Sequence, residues 1–405
     1  MDRIDFSSPE FLHTPQNFLI DLAGKGPVVE TRLNGYGRAK LITSKDAIID
    51  FLKSPHRFIA DAEKANRAPI KRPGDASRIY NGYADFLWLK DGDAHKHDRI
   101  PLDAAFLNYS ISALRPHIAE HAQSVIGQMN TNQADLVRDF AAPFAILSIL
   151  ELLGVAQGDQ DALLGYCLQL VRPKAVLKHA AQKKALKHLQ VYFQNAVSNQ
   201  AADMRENGIG ARLLQNIDTQ DSKLGVNLLF QILFAALEPS IQTLTLGALT
   251  LSQNPAQLDA LKNDWTQTPH AIEEILRYAS PMLLTRPRYA CDAFEFHGVS
   301  FKRGDLVFGV LGCVGMSPAQ DIAPDVFDIN RNTPDHLAFG VGAHACIGGQ
   351  IASTICEIGL ERLFSEWPAL KAQPRPNAKS DADQFNWVKR DDLRALKTLP
   401  VELIA

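Results

Sequence analysis

One cysteine out of five in this 405-residue chain stands where its chemistry can be used: Phe339-Gly340-Val341-Gly342-Ala343-His344-Ala345-Cys346-Ile347-Gly348. A thiolate held on such a loop can bind a haem iron. Sulfur opposite bound dioxygen pushes electron density onto the metal and favours O–O cleavage more strongly than an imidazole does. It must stay anionic and dry. Gly340, Gly342 and Gly348 let backbone N–H groups approach the sulfur and let the loop lie close beneath a flat ring, because no Cβ intervenes. The apolar run from Ile351 to Leu363 predicts a helix whose positive N-terminal end further favours the thiolate. Cys167, Cys291, Cys313 and Cys356 lack this setting and read as small buried hydrophobes.

Other candidates recur at helical or strand spacing. Glu274 and Arg277 lie three apart on a helix with Ile272, Ile275 and Leu276, so both heads share one face and can pair. His95 and Arg99 lie four apart in Asp93-Ala94-His95-Lys96-His97-Asp98-Arg99. The stretch from Asp221 to Ser252 is apolar on nearly every side, which requires burial, yet Glu238 and Pro239 sit in its middle. Proline deletes the backbone bond to the carbonyl of Ala235, so a kink is expected there.

Phe339, Gly340, Gly342, His344, Cys346 and Gly348 together resemble the cysteine-ligand loop of the cytochrome P450 family, and the resemblance extends over nearly the whole chain. It implies a mainly α fold with a small β component, a single large domain over residues 1–405, and haem b (iron protoporphyrin IX) with Cys346 on the iron. It implies that Glu274 and Arg277 are joined by Arg331 in a structural cluster. His95, Arg99, Arg288 and His344 would bind the haem propionates, and Arg286 a propionate or an anionic substrate. The long helix would cross above the haem, with Glu238, Pro239 and Ser240 where the family relays protons. There the usual threonine is Pro239 and the usual glycine is Ala236. Ser240 lies about 100° around the helix from it. Proton delivery through Glu238 and water, or through a polar group of the substrate, is therefore expected. Matching positions place Gln231, Phe234, Ala235, Leu284, Arg286, Phe385 and parts of residues 59–87 around the substrate.

The implied reaction inserts one oxygen atom from O2 into a small or medium organic molecule of secondary metabolism. Electrons would come from a ferredoxin- or flavodoxin-type donor with its NAD(P)H reductase, entering on the cysteine side near Lys96 and Arg115. Loss of the threonine leaves a peroxide-driven, oxidative-coupling or desaturating enzyme as the alternative, and a non-catalytic haem sensor as a fallback. Arg172, Lys174, Lys178, Lys183, Lys184 and Lys187 form a basic run. It is either a solvated face or a contact for an acidic ligand or an acyl-carrier partner.

These groups need a scaffold, and periodicity supplies one. Helices are expected near 95–108, 112–130, 138–155, 158–205 with a break around Pro173, 221–252 and 268–279. Val28–Leu33 and Arg38–Thr43 flank Asn34-Gly35 as a hairpin, and Phe294 to Phe308 suggest a second strand pair around His297-Gly298. Residues 59–87 read as a long surface loop. A formal charge of −3 argues against a nucleic-acid partner. Five widely spaced cysteines suggest no disulfide framework, so a reducing cytoplasm is expected. The charged N-terminus has no apolar core, and Phe140 to Ala156 carries Pro143 and Glu151, so no membrane anchor is expected.

Overall fold

The computed structural model describes residues 3–68, 85–130, 134–171, 178–202, 204–218, 220–317, 323–332 and 335–404. Most of residues 59–87, the break near Pro173, and Arg172 and Lys174 therefore lie outside the described residues. Eight helices frame the site: α1 (Gly92–Phe106), α2 (Ile111–Ile126), α3 (Ala142–Leu153), α4 (Gln157–Val171), α5 (Lys178–Ser198), α6 (Ser222–Gln253), α7 (Thr268–Ala279) and α8 (Gly349–Glu366). Each corresponds to an apolar period in the sequence. The ends differ for local reasons. Ahead of α3 the chain forms a π turn over Val137–Ala141, because Pro143 offers no N–H to the carbonyl of Asp139. α5 stops at Ser198, short of residue 205, where Gln200 and Ala201 adopt left-handed φ angles of 49° and 62°.

Helix α6 is the axis of the molecule. Asp221 caps it, its carboxylate accepting from the Leu224 N–H at 3.1 Å, and 32 residues then run without interruption through Pro239. That is on the order of 48 Å. Among the described residues it is the one helix long and apolar enough to cross a membrane, and 72% of its apolar window is buried inside the protein. It packs against α3, α5, α7 and α8. The expected kink at Pro239 does not break the helix, since neighbours on several sides hold the chain straight enough to continue its hydrogen bonding.

A six-stranded sheet gathers distant segments: β1 (Arg3–Ile4), β2 (Val28–Leu33), β3 (Gly37–Ile42), β4 (Phe58–Ile59), β5 (Arg288–Ala290) and β6 (Leu306–Gly309). Their order is β1-β2-β3-β6-β5-β4. The β2–β3 pairing sets Leu33 against Gly37, so the turn holds three residues and its left-handed positions are Gly35 and Gly37 rather than Asn34-Gly35. Asn34 instead spends its side chain on Arg3 and Asp5. The His297-Gly298 turn does join two strands, Phe294–Phe296 and Val299–Phe301, with both turn residues at positive φ. β6 leaves that hairpin to pair in parallel with β3.

A buried ion cluster ties α7 to the segment before the cysteine loop. Arg277 donates to both carboxylate oxygens of Glu274, at 2.6 and 2.8 Å, with both side chains wholly buried. Its remaining N–H groups reach the carbonyls of Gly315, Pro324 and Val326. Gly315 leaves the space for it, as a Cβ there would lie 2.7 Å from the Arg277 side chain. Arg331 joins at 3.4 Å from Glu274, and the Asp328 N–H donates to the same carboxylate at 2.9 Å. Removing one partner of such a cluster strands a buried charge, which costs about 3–5 kcal/mol. Glu274→Ala is expected to lower unfolding stability by about that amount in urea denaturation, whereas Glu366→Ala on the exposed end of α8 changes it by under about 0.5 kcal/mol.

Candidate active site

Between α6 and the cysteine loop lies a cavity of about 330 Å³, walled by α1, α6, α8 and residues 276–282 and 338–348. Cys346 faces it. The loop's backbone is shaped to present that side chain: Gly340 and Gly342 take φ angles of 64° and 80°, and the Cys346 N–H donates back to the Phe339 carbonyl at 2.9 Å. At Gly342 a Cβ would lie 2.7 Å from the Leu52 carbonyl oxygen. Gly348 caps α8 and is not crowded by protein, its nearest neighbour being the Phe106 ring at 3.9 Å. The crowded position is Gly349, where a Cβ would press on the Phe339 ring at 3.1 Å. Burial pushes the Cys346 thiol above its ordinary pKa, while the Gly348 N–H and the Arg99 charge pull the other way.

Four nitrogen-bearing side chains converge beside the sulfur. His95 and Arg99 project from α1, and the rings of His95 and His344 lie 4.1 Å apart. Arg288, buried at the start of β5, has Asp91 as its opposing charge at 3.5 Å. Arg99 donates to the Ala345 carbonyl at 3.0 Å, which joins α1 to the loop. Burial, then Arg288, His95 and Arg99, lower the His344 pKa to about 3. Burial, then Arg99 and Arg288, lower that of His95 too. The His95 Nε2 is buried and makes no hydrogen bond. Two arginines and two imidazoles crowded together with an orphaned nitrogen are complementary to added negative charge. The carboxylates of a haem, with Cys346 on its iron, fit these residues.

Above the sulfur the wall is largely apolar. Gln231, Ala235, Ala236, Pro239 and Ser240 of α6 line it, while Phe339, His344 and Gly348 line the cavity from the side of the loop. Gln231 also braces the roof, its Oε1 accepting from the Leu87 N–H at 3.0 Å. Thr243 lines the cavity as well, its hydroxyl donating to the Pro239 carbonyl at 2.8 Å. The motif comparison overlooked it. Stepping four residues along α6 from Ala235 through Pro239 leads to Thr243, so helical periodicity could have found it.

Several expected contacts lie elsewhere. Glu238 is not part of the cavity wall; its carboxylate is paired with Arg390 at 2.7 Å and is 42% exposed. Burial works against the Arg390 charge, but Glu238 and Asp392 outweigh it and raise its pKa. Phe234 turns toward Phe230 and Phe86. Leu284 is buried in a separate cluster with Leu19, Leu41 and Phe308, and Phe385 packs in the main core, stacked 6.0 Å from His13. Arg286 lies 5.3 Å over the Trp88 ring and 3.7 Å from Asp392. Of residues 59–87, Leu87 reaches the cavity, joined by Trp88. Arg115 is paired with Glu357 at 2.9 Å, and Lys96 lies 3.8 Å from Asp93.

The two glycine environments generate a contrast. Gly342→Ala, strained in φ and crowded by Leu52, should destabilise the cofactor-free protein by about 1–3 kcal/mol. Gly348→Ala, with φ −96° and open space, should leave its unfolding midpoint unchanged.

Known proteins share this arrangement. The family model described as cytochrome P450 matches residues 267–385, which hold α7, the ion cluster and the cysteine loop. The polyketide biosynthesis cytochrome P450 PksS of Bacillus subtilis is 28% identical over 403 residues, covering 97% of each chain. The 6-deoxyerythronolide B hydroxylase of Saccharopolyspora erythraea is 28% identical over 379 residues, covering 92% of this chain and 89% of that one. The solved structure of PksS superposes with a TM-score of 0.81 at 25% identity, covering 99% of this chain and all of that one. Cytochrome P450 MoxA from Nonomuraea recticatena shares the fold, with a TM-score of 0.85 at 24% identity and coverage of 99% and 98%. A thiol-bearing loop beneath a long cavity-lining helix, the buried glutamate–arginine cluster and full-length likeness in sequence and fold agree: this chain is similar to the cytochrome P450 proteins along nearly its whole length and shares their fold.

Proposed function

We propose that residues 1–405 form one haem-thiolate monooxygenase domain that inserts an oxygen atom from O2 into a small or medium organic molecule of secondary metabolism. The polyketide-related names of its relatives support that setting. The observation that carries the reading is Cys346 facing an apolar cavity beside a basic ring whose His95 Nε2 has no partner. Haem b, when bound, supplies the redox centre that activates dioxygen. Cys346 would hold the iron of that group through its sulfur, with the Gly348 N–H, Arg99 and the start of α8 favouring the anion against the burial that opposes it. His95, Arg99, Arg288 and His344 would hold its propionates, and Phe339, Gly340 and Gly348 would shape the loop that carries Cys346.

Substrate rests against Gln231, Ala235, Pro239 and the apolar wall, which excludes bulk water. Protons need a polar route through that wall. The hydroxyls of Ser240 and Thr243 hold them close to the reaction, and water bridges from there past Pro239 to Glu238 at the outer side of the helix. Electrons enter on the cysteine side from a ferredoxin- or flavodoxin-type donor with its NAD(P)H reductase. A surface hollow lined by Arg115, His270, Glu273, Gln350 and Glu357 shares Phe339 with the cavity and suits that contact.

Carbon monoxide added to the dithionite-reduced holoprotein should give the long-wavelength Soret band of thiolate ligation. Cys346→His should keep haem and lose that band; a band surviving the substitution would refute the assignment. Thr243→Val combined with Ser240→Ala should cut product formed per NAD(P)H consumed by about tenfold, while Pro239→Thr gives no gain. More product from peroxide alone than from O2 with reduced donor would overturn the dioxygen reading.

A further inference from the structure

Helix α5 carries cations without acids. Its 21 residues include Lys178, Lys183, Lys184, Lys187, His179 and His188 and no aspartate or glutamate, in a chain whose overall charge is −3. Lys183, Lys184, Lys187 and His188 are exposed, and among the described residues no carboxylate lies within ion-pair distance of the three lysines. Elsewhere the chain neutralises its helix cations locally, as with Arg99–Asp103 and Lys262–Asp259. Lysines 183 and 187 stand one helical turn apart, a spacing at which like charges destabilise a helix. Such a pattern leaves unneutralised positive charge on the surface, where an anionic partner can use it.

The inner side of α5 connects to the active site. Leu186, Leu189 and Phe193 are fully buried, and Phe193 meets Phe230 of α6 with ring centroids 4.9 Å apart. Phe230 stacks on Phe234 at 5.1 Å, Phe234 meets Phe86 at 5.9 Å, and Phe86 stacks on Trp88 at 4.2 Å. Trp88 lines the cavity. Beside the lysines, an open hollow of about 580 Å³ is lined by Tyr166, Gln169, Ala180, Ala181, Lys184 and His188.

We propose that this face docks an acidic carrier protein that presents the substrate on a covalent arm. The proposal rests on the monooxygenase reading above and names a partner for it. Three observations select this occupant. The side chains lining the cavity wall away from the basic ring are uncharged, with Gln231, Ser240, Thr243 and Ser280 among its polar points, so recognition of negative charge is placed outside the cavity while an apolar chain fits within. The electron donor is a poor match, because both α5 and α6 separate the lysines from Cys346. A membrane is a poorer one: the large apolar residues of α5 face the core, and Val191 is its one strongly exposed large hydrophobe, whereas surface-inserting helices expose a whole apolar face.

The test uses haem-loaded enzyme and an acyl carrier protein charged through phosphopantetheine with a palmitoyl chain, followed by calorimetry at low and high salt. Binding should weaken at least tenfold in the Lys183→Glu, Lys184→Glu, Lys187→Glu triple variant, less so in the corresponding glutamine triple, and should fall with ionic strength. Binding of free palmitate, read from the ferric Soret shift, should stay within twofold of wild type in both variants. Carrier binding that is absent in the wild type, or unchanged by both variants, overturns the proposal. So does lysine-dependent binding to phosphatidylglycerol vesicles without carrier binding. Failure of the underlying enzyme reading would instead appear as a missing thiolate Soret band in every protein, which keeps the two separable.

Discussion

Two adjacent acids on α7 hold the cysteine loop to the helical body, and the rest of the site depends on that hold. Glu274 anchors Arg277, Arg331 and the Asp328 N–H in a buried cluster, while Glu273 pairs with His336 at 2.9 Å. His336 in turn accepts from the Ala338 N–H, one residue before Phe339. The irregular chain upstream of Cys346 is thus fixed at two points by one short helix. A segment with few regular hydrogen bonds has little stiffness of its own, so a buried, fully bonded charge cluster substitutes for secondary structure.

On the other side of the sulfur two arginines and two imidazoles are packed together. Arg99, Arg288, His95 and His344 are packed close enough that burial and mutual repulsion depress both histidines, and Arg288 is pulled below its usual pKa by burial. Added anions reverse each of these penalties. Arg99 has Asp103 and Arg288 has Asp91 as opposing charges, so the group is partly neutralised and an added anion would still find donors there. Among them is the unpaired nitrogen of His95.

Helix α6 keeps its course through a proline in the cavity wall. Pro239 stands in the cavity wall with no N–H and no hydroxyl, yet the helix continues, held by neighbours on several sides. Ser240 and Thr243 are polar residues of the same stretch of wall, the Thr243 hydroxyl donating to the Pro239 carbonyl. Glu238, one residue before the proline, points away into an ion pair with Arg390. Arg390 also binds Asp392, and Asp392 approaches Arg286, which lies over Trp88. The C-terminal segment is thereby tied to both α6 and the cavity roof.

Local chemistry was legible in the residues themselves. The cysteine loop needs glycines at fixed places, α6 must be buried because nearly every side is apolar, and Glu274 with Arg277 share a face by helical spacing alone. These are short-range facts, set by backbone geometry and periodicity. Which side chains reach the cavity was settled by packing. Phe385 and Leu284 were expected there and lie in the core; Glu238 was expected there and is claimed by an arginine 152 residues away. Thr243, Trp88 and the crowded Gly349 entered the site instead. Sequence order dictates which groups are neighbours on one element, whereas partners on different elements are chosen by how those elements dock. Only the tertiary fold could decide that choice.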